Sequence, residues 1–472
     1  MKNNPQGAAA GNLTRPHPRG KGGRLSKKIT LTLLGLLLVA FSDGNVLPVL
    51  GKEPPSQAAS QEKELLSGPV NYDRAVQLAL RQSPYFTKSS LEIEIRKLDE
   101  KDSRYDLIPP INFRTQYYIN QPTISGVRNK PYSLSFTSSN YNPLESYFTL
   151  QARKIFTQMA ILAHLQVISD GILKLGRMFL ELEALSQSLS RQQDLLDLAR
   201  RNLDYYQNRV RIGAGTSLEE KVAAQEVAGA KAEMERLVYS QKHLKERIKT
   251  FIGLKPKQTL DLDYKEARRQ VTGDFKADTA SLAQAQSRSY ILKIAKLKRD
   301  LQAYNIMVAK ARLLPSIYLG LSTADPLSTV TSRELFFSVG LEVPVWDGFK
   351  RFRNISRQKT IQRQFNVESE EKALDLADKW NETQEHLRAA VVGRNAAQAQ
   401  EELARLKERQ NEIRYRSGGE PLPVFLKGRK GLVEAQKELA RKNLECDRAV
   451  LELRFLSGDL GANYVDAKFW QD

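Results

Sequence analysis

The chain has 472 residues, of which 41% are hydrophobic and 27% are charged, and it carries a formal net charge of +19. A mean hydropathy of −0.47 excludes a bundle of membrane-spanning helices. One cysteine and four histidines exclude a disulfide framework and leave little for a His/Cys metal site. The lone Cys446 falls in a helical pattern and is interpreted as a small packed residue.

The N-terminal segment 1–28 contains seven Lys or Arg and no acid, and an apolar run follows at 29–41. This run is too short for a membrane span, which needs about 20 residues, but it suits the apolar core of a signal peptide. We predict an export signal over 1–42, with cleavage before Asp43, and a Pro/Gly/Ser-containing linker over 43–70. No cysteine lies directly after the apolar run, so a lipoprotein anchor is not expected.

Beyond the linker, a helical pattern covers about 72–106, with a kink or break predicted at Ser83-Pro84. Two alternating strands follow, each of roughly ten residues. The first runs over 111–120 and the second begins at Tyr132. Helical periodicity then continues over 144–212, stops at Gly213–Ser217 and resumes over 218–250. The long helix matches the sum of the two shorter ones, so these could stack end to end along it over about 100 Å.

The same plan then occurs a second time. Corresponding residues are separated by 205 positions throughout, which indicates an internal duplication without net insertion. The matched pairs are Tyr85 and Tyr290, Pro110 and Pro315, Gly213 and Gly418, and Gly253 and Gly458. We therefore predict a first repeat over 71–255, a second over 277–460 and a short tail over 461–472. The second repeat has strands near 316–323 and 335–345, a long helix over 349–416 and a return helix ending at Leu456.

Four strands with one apolar face each set a physical constraint on the assembly. If the strands lie in a membrane, four cannot close a barrel, and open sheet edges are not tolerated in lipid. Eight is the practical minimum, so at least two chains must then contribute. The alternative is a pair of soluble hairpins that pack on each other.

Three segments together with the duplication resemble the outer-membrane efflux protein (TolC-like) family over roughly residues 70–460. They are Leu341-Glu342-Val343-Pro344-Val345-Trp346-Asp347-Gly348, the loop at 209–219 and Leu456-Ser457-Gly458. The resemblance implies an α+β membrane protein, a homotrimeric channel with a 12-stranded transmembrane β-barrel and a 12-helix α-barrel. It further implies an outer-membrane location with a large periplasmic portion, and passive conduction for efflux or type I secretion without a cofactor. A periplasmic adaptor protein and an inner-membrane transporter are the implied partners.

The same resemblance implies roles for individual residues. The loops between long helices would dock onto the adaptor, through Gly213, Gly215, Ser217, Gly418 and Gly419. The closed periplasmic mouth would involve Glu219 in the first repeat. The second repeat departs from the family pattern, because the expected acid is absent and Lys427 follows. We expect a mixed or basic mouth, with a weaker preference for cations. Alternatively, Lys427 faces outwards and has no part in conduction.

The two joints between strand and long helix complete the candidate sites. The second contains Trp346, Asp347 and Gly348, whereas the first has Tyr141 and Asn142 at the corresponding places. Asn142 suits an N-cap, and Glu145 could complete a capping box with it. Both aromatic residues suit a membrane–water interface. We expect them to lie at one membrane level, with a helix starting within two residues of each.

Two other protein classes remain open, namely a periplasmic adaptor and a coiled-coil scaffold that forms no channel. An enzyme is not expected, because His164, His243 and His386 lie singly without metal-ligand spacing. The Gly213-x-Gly215 segment follows a helix rather than a strand, so it is not a dinucleotide loop. The positive charge is interpreted as the solvation of long helix faces, and no nucleic-acid-binding motif accompanies it.

Overall fold

The computed structural model describes residues 68–117, 132–138, 140–255, 258, 260–273, 275, 280–323, 335–343, 345–460 and 464. The predicted signal peptide, the linker up to residue 67 and nearly all of the predicted tail lie outside the described residues. The same holds for the predicted part of the first strand beyond Tyr117.

The described residues form nine helices and four strands. In chain order they are α1 (Tyr72–Gln82), α2 (Pro84–Tyr105), β1 (Ile111–Tyr117), β2 (Tyr132–Ser138), α3 (Pro143–Arg211), α4 (Ser217–Ile252), α5 (Ala267–Thr272), α6 (Leu282–Arg288), α7 (Tyr290–Ala311), β3 (Ser316–Thr323), β4 (Leu335–Glu342), α8 (Lys350–Arg416) and α9 (Leu422–Leu456). When the repeat interval is added to their bounds, α3 maps onto 348–416 and α4 onto 422–457. These are the bounds of α8 and α9 to within two positions at each end, so the two halves repeat one element order.

The predicted break at Ser83-Pro84 is confirmed. Helix α1 ends at Gln82 and α2 begins at Pro84, which has no backbone N–H to leave unpaired. The Ser83 hydroxyl accepts from the Tyr85 N–H and donates to the Phe251 carbonyl at 2.6 Å. The break is thereby attached to the end of α4.

The helices form a row with α3 inside it and α8 at one end. Both α2 and α4 pack along one side of α3, and both α7 and α9 pack along its other side and against α8. The predicted stacking of two shorter helices along each long one is confirmed. Helix α3 buries nineteen of its residues, whereas α8 buries four, Trp380, Ala390, Ala397 and Glu401. The row therefore ends in α8 on one side and in α2 and α4 on the other, and each end presents a helix packed on one side only.

The main core surrounds the middle of α3. It joins α1, the ends of α4 and α9, and the short α5. Tyr72 lies at its centre, with its ring edge-to-face on Phe179 at 5.7 Å and its hydroxyl donating to the Ile172 carbonyl at 3.3 Å. By length and composition α3 is also apolar enough to cross a membrane, yet half of the relevant window is buried inside the protein. The apolar character of α3 therefore reflects its contacts with α1, α4 and α9.

The four strands form one antiparallel sheet in the order β1-β2-β3-β4. β1 pairs with β2 and β3 with β4 as hairpins, while β2 and β3 join the two repeats. The described strands have seven or eight residues each. Within the described chain, the outer edges of β1 and β4 have no neighbouring strand in this sheet.

Candidate channel-forming surfaces

One face of the sheet carries a continuous row of large apolar side chains. The strand registers place Phe113, Phe136, Leu321 and Phe337 side by side across all four strands. The rings of Phe113 and Phe136 are 5.0 Å apart, yet the two side chains are 58% and 45% exposed, and Phe337 is 69% exposed. Nothing within the described chain covers this row, so the sheet presents an apolar face to its surroundings.

The neighbouring register positions give the opposite face a polar character. Asn112, Thr137, Gly320 and Ser338 form one row across the four strands. An apolar face opposed to a polar face is the pattern of a transmembrane barrel strand, with lipid on one side and water on the other. A sheet of a soluble sandwich would instead bury its apolar face against a second layer.

The first joint is held by contacts to the other repeat. The Asn142 side chain accepts from the N–H groups of Leu144 and Glu145 at 3.1 and 3.2 Å, and its amide donates to the Ala311 carbonyl at 2.7 Å. The predicted N-cap is therefore confirmed, and the same residue binds the end of α7. Glu145 does not complete the predicted capping box, because its carboxylate accepts from Arg312 Nε at 2.8 Å instead.

Tyr141 forms part of the sheet next to this cap. Its N–H and carbonyl exchange hydrogen bonds with Ile317 of β3, and its hydroxyl donates to the Leu107 carbonyl. The neighbouring Asn140 amide donates to the Glu342 carboxylate at the end of β4. Helix α3 begins two residues after Tyr141, as predicted.

The second joint has a different geometry. Helix α8 begins at Lys350, four residues after Trp346, so the expected start within two residues is wrong here. The reason is a turn in which Gly348 and Phe349 both have positive φ angles, +63° and +61°. Asp347 caps the helix across this turn by accepting from the N–H groups of Lys350 and Arg351, both at 3.1 Å.

Trp346 lies against the Phe349 ring at 5.0 Å and is 74% exposed. The first joint is thus covered by its own chain, whereas the second joint is not. Neither aromatic lies within a helix, and their level relative to a membrane stays a prediction. The residues that sequence reasoning missed are the contacting ones, Glu342 and Arg312, which no local pattern distinguishes from other charged residues at element ends.

The two loops predicted to dock a partner share one backbone geometry. Gly213 and Gly418 have φ angles of +71° and +76°, the left-handed conformation in which glycine commonly ends a helix. Ala214 N–H donates to the Arg209 carbonyl, and Gly419 N–H donates to the Arg414 carbonyl, both at 2.9 Å. No atom lies within 4 Å of a Cβ built on Gly213 or Gly418, so both loops project away from the rest of the described chain.

Gly215 and Ser217 lie in the first loop at the start of α4. A Cβ on Gly215 would approach the Cβ of Arg209 at 3.0 Å, so the loop is closed tightly there. Ser217 is the first residue of the helix, and its predecessor Thr216 is the N-cap. Docking at these residues stays a prediction.

Glu219 and Lys427 occupy different turns of their helices. Glu219 is the third residue of α4, and its carboxylate accepts from the Thr216 N–H at 2.9 Å and hydroxyl at 3.0 Å in a capping box. These hydrogen bonds lower the pKa of Glu219. Lys427 is the sixth residue of α9 and is exposed. The repeat interval pairs Lys427 with Val222 rather than with Glu219, so the two side chains do not occupy matching places.

A charged cluster joins α5 to the helices beside it. Arg268 Nε lies 3.0 Å from Asp447 on α9, and the Arg268 N–H donates to the Glu183 carboxylate of α3 at 2.8 Å. Burial raises the pKa of both carboxyl groups, and the guanidinium opposes this shift. Among the described residues, no group of three or more His, Cys, Asp and Glu side chains could hold a metal ion.

The alternating sheet, the joints and the projecting loops can be compared with known proteins. Residues 75–254 match the outer membrane efflux protein family. The family resemblance predicted from the sequence is confirmed over this segment. None of the curated proteins matches the sequence.

Solved structures of outer-membrane channels share the fold. The channel OprN superposes with a TM-score of 0.67 at 14% identity, over 82% of this chain and 90% of that one. The CmeC channel of Campylobacter jejuni gives 0.67 at 13% identity, over 84% and 87%. VceC from Vibrio cholerae gives 0.67 at 12% identity, over 82% and 96%. The predicted class of fold, long helices with a small sheet, is therefore confirmed, and each of these three relatives is an outer-membrane protein.

Proposed function

We propose that this chain is an outer-membrane channel that conducts substrates passively outwards in an efflux or type I secretion pathway. The observation that carries the proposal is the sheet, which has an uncovered apolar face, a polar face and two open edges. In lipid, each unpaired backbone group of an open edge costs several kcal/mol, so such a sheet is stable there only as part of a closed barrel. The proposal assigns the chain no catalytic step and no cofactor.

Closure of the barrel requires further copies of the chain. Each copy contributes four strands, and three copies give the 12-stranded barrel that the family resemblance implies. The same three copies give 12 helix paths, since each chain supplies two long helices and two pairs of stacked shorter ones. The two tandem repeats, proposed at 71–255 and 277–460, then alternate around the ring.

The helix row, like the sheet, has two uncovered edges that a ring of copies would cover. One edge of each chain consists of β4 and α8, and the other consists of β1, α2 and α4. Because the second repeat copies the first, the free side of α8 corresponds to the side of α3 that packs against α7 and α9 inside the chain. A head-to-tail contact between the two edges repeats that internal packing and closes after a fixed number of copies.

The proposed partners bind at the ends of the long helices. The loops around Gly213 and Gly418 project freely and carry the C-terminal ends of α3 and α8. We assign the docking of a periplasmic adaptor to them, and through the adaptor an inner-membrane transporter. Arg209 and Arg211 would add positive charge at the first loop, whereas Arg414 and Arg416 at the second loop are paired with Glu420 and Glu412. The signal peptide at 1–42 would direct export.

Conductance in planar lipid bilayers tests the proposal directly. The purified full-length chain in detergent is added to one side, and discrete conductance steps with a defined unit size are expected. A boiled sample is the control, and migration in gels should change on heating, as closed barrels do. An adaptor or scaffold would give neither conductance nor heat-dependent migration, and that result would reject the channel.

A further inference from the structure

The contact between α3 and α9 inside one chain is a template for a contact between chains. Two ion pairs cross this contact. Arg177 Nη2 lies 2.7 Å from the Glu452 carboxylate, and Arg448 Nη2 lies 3.1 Å from the Glu181 carboxylate. One turn separates the two pairs on each helix, and the helices run antiparallel.

Helix α8 repeats α3, and helix α9 repeats α4, at the constant interval of the duplication. Paired features show that the copies keep the same orientation. The ion pair of Arg236 with Glu233 in α4 recurs as Arg441 with Glu438 in α9. The hydrogen bonds that end α3 at Arg209 recur at Arg414 at the end of α8.

When the repeat interval is applied to the Arg177–Glu452 ion pair, the two corresponding residues again carry opposite charges. Arg177 corresponds to Glu382 on α8, and Glu452 corresponds to Arg247 on α4. The acidic residue now lies on the long helix and the basic residue on the return helix, so the corresponding residues would still attract each other. Glu382 and Arg247 are exposed in the single chain, at opposite ends of the helix row. They cannot meet within one chain, whereas α8 of one copy and α4 of the next bring them together.

The second template pair becomes two histidines. Glu181 corresponds to His386, and Arg448 corresponds to His243, and both side chains are exposed in the single chain. Four histidines exist in the sequence, and two of them fall on facing positions of this contact. His386 follows Glu382 by one helical turn, and His243 precedes Arg247 by one turn, as the antiparallel register requires.

We propose that neighbouring copies join along α8 of one copy and α4 of the next, through a Glu382–Arg247 ion pair and a facing His386–His243 pair. This seam rests on the proposed oligomeric channel and names the residues that hold its periplasmic half together. The occupant of the exposed α8 face is therefore a second copy of this chain.

Cysteine cross-linking tests the seam in the full-length protein. His386→Cys and His243→Cys are introduced together after Cys446→Ala, which removes the free buried thiol. A short bis-maleimide should then give covalent dimers and trimers. Two controls carry cysteines elsewhere. Glu181→Cys with Arg448→Cys should link only within a chain.

His386→Cys with Arg236→Cys is the second control and should not link copies through a short reagent, because Arg236 precedes the facing position His243 by two helical turns, about 10 Å along α4. A particle of oligomeric mass and normal conductance that fails to cross-link at 386 and 243 would overturn the seam and leave the channel intact. A monomeric, non-conducting chain would instead reject the proposed function.

A reciprocal charge exchange provides a second test. Glu382→Arg places two cations opposite each other and should lower the fraction of assembled protein at low salt several-fold. Arg247→Glu in the same chain restores attraction at every seam, and assembly should recover. Equal losses in the single and double variants would contradict the pairing.

Discussion

A close helix contact lies at Gly171 of α3. A Cβ added there would lie 2.4 Å from two ring carbons of Phe86 and 3.3 Å from a ring carbon of Tyr85. Phe86 is 3% exposed, and its ring packs edge-to-face on Phe251 at 6.1 Å. The ring therefore has no free space into which it could retreat, and Gly171→Ala should destabilise the protein.

The magnitude follows from two opposing effects. Alanine stabilises the interior of a helix by about 1 kcal/mol relative to glycine. Overpacking of a filled core costs about 1–3 kcal/mol, and so deep an overlap with a buried ring belongs in the upper part of that range. The net loss should be about 1–2 kcal/mol once the helix gain is subtracted. Gly431→Ala in α9 is the matched control, because nothing lies within 4 Å of its Cβ, and it should gain about 0.5–1 kcal/mol.

The assay is thermal unfolding in detergent, followed by far-UV circular dichroism at one fixed scan rate. The two variants should shift the apparent Tm in opposite directions, by less than about 2 °C per kcal/mol in a chain of this size. Phe86→Leu in the Gly171→Ala background should recover part of the loss, because the smaller side chain admits the new methyl group. A higher Tm for Gly171→Ala, or strictly additive effects of the two substitutions, would refute the steric argument.

Four further outcomes are expected. Asn142→Ala removes the oxygen that caps α3 and the amide that binds α7, and it should lower the unfolding free energy by about 1–2 kcal/mol in the same assay. Gly253→Ala forces a φ of +94° on a side-chain-bearing residue and places its Cβ 2.6 Å from a backbone carbonyl oxygen, so a loss of at least about 1–2 kcal/mol is expected. Burial raises the pKa of Asp447, so the folded protein binds this proton more tightly than the unfolded chain does. This carboxyl therefore adds stability as the pH falls from neutral through its raised pKa towards its ordinary value of about 4, and Asp447→Asn should be at least as stable at pH 7 and lose this dependence. Lys427→Glu should shift the single-channel reversal potential in a salt gradient towards cation selectivity.

Each of these outcomes has a result that contradicts it. An unchanged unfolding free energy in Asn142→Ala would mean that water caps the helix equally well. Unchanged stability of Gly253→Ala would show that the helix end relaxes freely. A marked loss for Asp447→Asn at pH 7 would show that its attraction to Arg268 outweighs desolvation. An unaltered reversal potential in Lys427→Glu would place that side chain outside the conduction path.

Much of the fold could be predicted from local patterns. Gly213 and Gly418 predict the ends of the long helices because glycine alone adopts the left-handed conformation without strain. Ser83-Pro84 predicts the break between α1 and α2 because proline disfavours helical backbone geometry in the residue before it. The constant repeat interval then assigns the second half from the first. The glycine and proline signals lie within a few residues of the helix ends that they specify.

The joints show where local patterns fail. Phe349 adopts a φ of +61°, which is rare outside glycine, and this extra turn delays the start of α8 by two residues relative to the prediction. Glu145 lies at the spacing of a capping box but binds Arg312, 167 residues away in the sequence. Such contacts depend on the packing of one repeat against the other, which the sequence near Glu145 does not encode. The docking and aperture roles depend on surfaces shared with further chains.

The sparse burial of α8 has a consequence for biogenesis. A helix of 67 residues that buries four side chains has little to hold it against the rest of a newly exported chain. The part of α8 before Trp380 buries no side chain and is then the first segment to open, and in the proposed channel a protease would cleave an unassembled chain there before it reached α3. Because binding to a neighbour stabilises only the folded form, the survival of the chain in the proposed assembly depends on its own concentration. Complete rings would accumulate, while single chains would be removed.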